Sequence, residues 1–150
     1  MSNWLSITKS SLYDAKVAAL IDACDSVALA DGQADRATGL IQGVVDDIRR
    51  KVASCQRNRL DADTTKIPKG LKTVAVTLIT ARLKMAIEQE LSEDERREVA
   101  TANTNLNRVA SGDDVVDQPD NAIAAPMEPT VAPPSFGCRT RHFTDTTQDG

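Results

Sequence analysis

His142 is the only histidine in this 150-residue chain, and Cys138 stands four residues before it. A cysteine and a histidine at that spacing suit two kinds of chemistry. One is nucleophilic catalysis with the imidazole as base; the other is zinc ligation. Neither is completed here. Catalysis needs groups held on a rigid scaffold, and this pair follows a proline-rich stretch. A zinc site needs at least one further good ligand, and none lies nearby in sequence. Cys24, Cys55 and Cys138 are far apart and form no CxxC, so they read as reduced thiols. The sequence carries neither of the glycine-rich phosphate loops. Asp31-Gly32-Gln33-Ala34-Asp35 has the residue types of a calcium loop, but its glycine is second rather than sixth and no Glu closes it. It reads as a turn between helices, with Asp31 or Asp35 as a cap. The expectation is a protein with no catalytic residues, no metal and no cofactor, and not an enzyme.

A basic cluster carries more information. Arg49, Arg50, Lys51, Arg57, Arg59, Lys66, Lys69 and Lys72 gather around one loop, interrupted only by Asp61 and Asp63. Cations favour a helix C-terminus, which accounts for Arg49 to Lys51 without any ligand. The functional alternative is attraction to an anionic surface, foremost a nucleic acid passing close by. No aromatic residue is interleaved with these charges, so such contact would be electrostatic and blind to sequence.

Four helices are expected to position these groups. The first starts at Ser10 or Ser11, where Ser11 and Asp14 resemble a capping pair. It carries Tyr13, Val17, Leu20, Cys24 and Val27 on one face and ends at Asp31-Gly32. The second spans Asp35 to Ser54 with an apolar stripe through Ile41, Val44, Val45, Ile48 and Val52. Gly39 and Gly43 within it suggest close packing on a neighbour. The third begins at Pro68, a residue suited to a first helical turn, and is apolar nearly all round as far as Ile87. It is therefore central or shared with another subunit. The fourth opens on Ser92-Glu93-Asp94-Glu95, a capping box, and stops at Gly112. No strand is expected in this body.

The aromatics lie only at the ends of the chain, as Trp4, Tyr13, Phe136 and Phe143. Residues 1–112 have a net charge of +1 and residues 113–150 a net charge of −5, which together make the −4 of the whole chain. Five of the six prolines also lie in the second part. Proline fixes φ and removes a donor, so that part is read as extended. The resulting division is an N-terminal arm at 1–9, a helical bundle at 10–112, an acidic Pro-rich linker at 113–134 and a docking arm at 135–150. The fold class is all-α, a small four-helix bundle with an extended C-terminal arm. Tyr13 is assigned to the core. Trp4, Phe136, Arg139, Arg141 and Phe143 are assigned to contacts with neighbours, the phenylalanines as anchors of an extended segment. The sequence has no secretory signal and no apolar run of bilayer length.

Three stretches resemble the small helical head–tail connector proteins (adaptor, or head-completion) of tailed bacteriophages, nearest to the Mu-like branch. Ile67-Pro68-x-x-Leu71 leads into Val74, Leu78 and Arg82-Leu83, similar to the proline-started third helix of that family. Leu106-x-x-Val109-Ala110-x-Gly112, followed by Val115-Val116, resembles the helix end that closes its bundle. Arg141-x-Phe143 with Asp149-Gly150 is similar to its C-terminal arm. The N-terminal entry departs from the family pattern. The resemblance implies a homo-oligomeric, dodecameric ring in the virion neck, assembled in the host cytoplasm. Its partners would be the portal protein and a tail or further head-completion protein. Packaged DNA would pass close by without being read, and no membrane is involved. The other reading of the same residues is a small helical nucleic-acid-binding or regulatory protein that uses the basic loop.

Overall fold

The computed structural model describes residues 2–13, 17–27 and 35–124. Of these, 61 % are helical. The elements, in chain order, are β1 (Trp4–Ser6), α1 (Lys9–Leu12), α2 (Ala18–Ser26), α3 (Arg36–Ser54), β2 (Lys66–Pro68), α4 (Lys72–Ala86) and α5 (Glu93–Ser111). A single 3₁₀ turn, Lys69–Leu71, joins β2 to α4.

The helices with the clearest sequence signals form nearly where expected. α5 begins at a complete capping box: Ser92 Oγ accepts from Glu95 N at 3.2 Å, and Glu95 Oε2 accepts from Ser92 N at 2.9 Å. Glu93, Asp94 and Glu95 occupy its first turn, where negative charge favours the helix dipole. It ends at Gly112, whose φ of 86° is a left-handed cap. A Cβ there would also meet Cys55 Sγ at 3.3 Å. In α3, Ala37, Ile41, Val44, Val45, Ile48 and Val52 are buried as one stripe.

The first expected helix is two. α1 is one turn, boxed by Thr8 and Ser11 rather than by Ser11 and Asp14. α2 presents Ile21 and Cys24 to the core. The start of α3 is held from outside itself. Asp25 of α2 accepts from Ala37 N at 3.0 Å, while Lys9 Nζ bridges Asp25 and Asp35. Gly39 faces open space, so its expected close packing is absent. Gly43 does sit against a neighbour: a Cβ there would meet the Arg82 guanidinium at 3.3 Å, and Arg82 pairs with Asp47 one turn on.

The two strands were not expected. β1 and β2 pair antiparallel, with Trp4 opposite Pro68, Leu5 opposite Ile67 and Ser6 opposite Lys66. Flanking bonds run from Lys69 N to Asn3 O and from Ile7 N to Thr65 O. Antiparallel pairs alternate between hydrogen-bonded and non-bonded, so the bonds at 3/69 and 7/65 make 4/68 a non-bonded pair. Pro68 therefore sits where no N–H is required. It ends a strand rather than opening a helix.

Lys51 meets Asn107 while Lys84 meets Glu95. α3 and α5 thus run in the same sense and α4 runs opposite to both. The C-terminal ends of α3 and α5 and the start of α4 share one pole of the molecule. The α4–α5 turn forms the other.

Candidate functional site

The basic cluster lies at the first pole, but the structure divides it. Arg49 is 6 % exposed. Its guanidinium donates to three backbone carbonyls: Asp63 O at 2.9 Å, Lys66 O at 2.7 Å and Asp61 O at 2.7 Å. Five donors in a planar fork suit this role. The Asp61 and Asp63 carbonyls belong to the loop between α3 and β2, which has little regular structure to satisfy them otherwise, and the Lys66 carbonyl opens β2. Burial pushes the guanidinium below its ordinary value, opposed by Asp61, Asp46 and Asp63. Arg49 is thus a structural clamp, and its expected place among solvent-facing cations is corrected.

The other cluster members stay near water. Arg50 pairs with Asp47 at 3.2 Å, and Lys51 donates to Asn107 Oδ1 at 2.9 Å. Arg57, Arg59, Lys69 and Lys72 are exposed, and Lys66 is half-buried. None of these last five has a carboxylate within salt-bridge distance among the described residues. Helix dipoles from α3 and α5 present their negative ends at this pole, which favours cations there.

Trp4 is also corrected. It is 2 % exposed, in the chain's own core. Its Nε1 donates to Asp117 O at 2.7 Å, and the Arg49 guanidinium carbon lies 5.8 Å from its ring centroid. Burying a large ring with its one donor satisfied is the favourable arrangement for tryptophan. Tyr13, assigned to the core, is 46 % exposed, and its hydroxyl donates to Asp22 Oδ1 at 3.1 Å. The two aromatics exchange roles because the expected helix breaks after Leu12, which removes Tyr13 from the stripe. The N-terminal arm is correspondingly part of the folded domain.

The boundary at Gly112 moves as well. The segment after it lies on the body: Val116 and Pro119 are buried. Ala62 N donates to Asn121 O and Ile123 N to Leu60 O, both at 2.9 Å. Asp61 and Ala122 form an isolated antiparallel bridge. Gln118 donates to Arg57 O at 3.2 Å and accepts from Arg59 N at 3.3 Å. Sequence reading missed this because each bond joins residues about 60 apart; the only local hint was Val115-Val116 after the glycine.

Phe136, Arg139, Arg141 and Phe143 lie outside the described residues, as do Cys138, His142 and Asp31 to Ala34. Among the described residues, no group of three His, Cys, Asp or Glu side chains is placed to hold a metal ion, and no helix is long and apolar enough to cross a membrane. Cys24 is buried, and burial pushes its thiol up, away from the reactive thiolate.

A groove of about 320 Å³ runs between α3, α4 and α5. Val44, Leu78, Ala81, Met85, Val99 and Leu106 line it, and Arg50, Lys51 and Arg82 stand with Asp47 at its edge. Met85 is 59 % exposed. No protein-family model, no curated protein and no solved structure matches this chain.

Proposed function

We propose that this chain is a structural virion protein, a head–tail connector subunit that assembles into a ring between portal and tail and extends the DNA channel. In this reading α2 to α5 serve as a four-helix bundle, and residues 135–150 reach a neighbour or the portal. The observation that carries it is the surface of α4. This helix is packed by α2, α3 and α5 and still leaves Met85 exposed beside half-buried Leu78, along an apolar groove. A helix with more apolar surface than its own domain covers suits an assembly subunit. With Trp4 committed to the core, Phe136 and Phe143 are the aromatics of the C-terminal arm that serve as anchors for partners, with Tyr13 exposed on the body.

Co-sedimentation with the portal protein of the same virus tests this reading. Full-length protein is expected to co-sediment, and the Phe136→Ala/Phe143→Ala double variant is expected to be lost from the pellet. Equal binding by both, or by neither, would overturn the assignment of the arm.

The exposed Arg57, Arg59, Lys69 and Lys72 favour a second reading, a small nucleic-acid-binding protein. A monomer that binds duplex DNA with a steep salt dependence, and does not bind portal, would support it.

A further inference from the structure

Residues 109–138 contain no lysine or arginine, and Asp113, Asp114, Asp117 and Asp120 fall within the first dozen after Gly112. The fold lays residues 113–124 directly against the basic loop. Gln118 brackets the backbone of Arg57 and Arg59 from both sides, residues 121–123 run antiparallel to residues 60–62, and Trp4 holds the Asp117 carbonyl. Val116 and Pro119 turn inward, while Asp113, Asp117 and Asp120 are exposed. Asp114 pairs with Arg108 at 3.1 Å. The strap is therefore anchored by backbone and apolar contacts, which leaves most of its carboxylates free to act on the surrounding field.

We infer that Asp113–Ala124 is an acidic strap that screens the basic pole and sets how strongly that pole holds a polyanion. The proposal rests on the basic pole facing nucleic acid, as the second reading above has it. Arg57 and Arg59 have no ion-pair partner among the described residues, so they remain available to phosphate. Gln118, bonded to the backbone of both, lies between Asp117 and Asp120 in the chain, and charges within one Debye length, about 8 Å at physiological salt, act on one another with little screening. In this proposal a phosphate drawn to Arg57 or Arg59 is also repelled by Asp117 and Asp120. Each repulsion subtracts from the counterion-release gain that drives such binding. The product is a weak, sequence-blind surface, suited to DNA that has to move past rather than be gripped.

Fluorescence anisotropy with a labelled duplex DNA, read across a salt series, tests the inference on the full-length chain. The variant is Asp113→Asn/Asp114→Asn/Asp117→Asn/Asp120→Asn, which preserves side-chain size and every backbone latch. A control removes four charges from the opposite pole: Glu88→Gln/Glu90→Gln/Asp94→Asn/Glu98→Gln. Circular dichroism melts verify that both are folded. The strap variant is expected to bind about tenfold tighter than the wild type at low salt, with the gain shrinking as salt rises. Adding Arg57→Ala/Arg59→Ala to it is expected to abolish the gain, and the opposite-pole control is expected to gain far less. An equal gain from both charge-removal variants would overturn local screening. So would a strap variant that binds like the wild type while Arg57→Ala/Arg59→Ala weakens both; that outcome would leave the basic pole as a DNA-facing surface. If no protein in the series binds and the arginine substitutions change nothing, the DNA-facing reading fails, and the strap proposal falls with it.

Discussion

The Trp4–Arg49 seam and the α4–α5 turn are both fastened by polar side chains, but over very different spans of chain. At the turn, Ser92 and Glu95 satisfy each other's backbone three residues apart, and Lys84 joins Glu95 from the preceding helix. At the seam, Trp4 reaches Asp117, and Arg49 gathers carbonyls from Asp61, Asp63 and Lys66. The turn lies at the surface and its groups have water as an alternative partner. The seam's donors, Trp4 and Arg49, are buried, so a donor or acceptor that loses its partner there has far less water to replace it. Short-range polar contacts therefore define an element, whereas the long-range ones hold elements together. Loss of the second kind should be far more costly.

That contrast yields a ranked set of expectations. Trp4→Ala should be the most damaging, at about 4 kcal/mol from lost ring burial. Urea denaturation followed by circular dichroism measures it. A cost no larger than that of a surface cap would remove the seam from its place at the centre of the fold. Arg49→Met should cost about 3 kcal/mol, since one buried carbonyl and two partly buried ones lose their charged donor. Arg49→Lys should recover only part of this, because a point charge cannot reproduce the fork. Trp4 is the single tryptophan, so its fluorescence follows the unfolding of the wild type and of the Arg49 variants directly, while Trp4→Ala is followed by circular dichroism alone. Native emission should be blue-shifted and poorly quenched by acrylamide.

The turn should give smaller effects. Ser92→Ala should cost about 1 kcal/mol, the usual value of an N-cap, read from the same urea curves. The smallest expectation concerns pH. Lys84, and then the Ser92 backbone N–H, hold the Glu95 carboxyl below its ordinary value. A depressed carboxylate contributes stability that is complete above its unfolded value, about 4.3, and is lost as pH falls through the folded value. The melting-temperature difference between wild type and Glu95→Gln should be constant near neutrality and close toward zero in acid. The contact is half-exposed, so added salt should shrink it as well.

What could be read from residues alone follows the same division. The helix from Ser92 to Gly112 was legible because both of its ends are written locally, as S-x-x-E and as a glycine stop. The stripe of α3 was legible because a 3.6-residue period needs no partner to be seen. The break after Leu12 was not, since the apolar spacing continues across it to Val17 and Cys24. The ribbon of β1 and β2 was hidden too, because three-residue strands carry no period and their pairing spans some 60 residues. For the candidate site, the cluster was visible as charge, yet its members were alike on paper. Only burial distinguishes Arg49, a clamp beneath the loop, from Arg57 and Arg59 on the surface.

By itself, the sequence determined that this chain is mostly helical, where its longest helices lie, and that its charge divides into a balanced body and an acidic tail. These follow from side-chain periodicity, cap chemistry and composition, all properties of neighbours along the chain. Tertiary structure alone decided that Trp4 is core and Tyr13 surface, that Arg49 belongs to the fold, and that the acidic residues after Gly112 lie against the basic pole. Each of those outcomes depends on which distant groups compete for the same buried space and the same unsatisfied carbonyls. That competition is settled only when the whole chain packs.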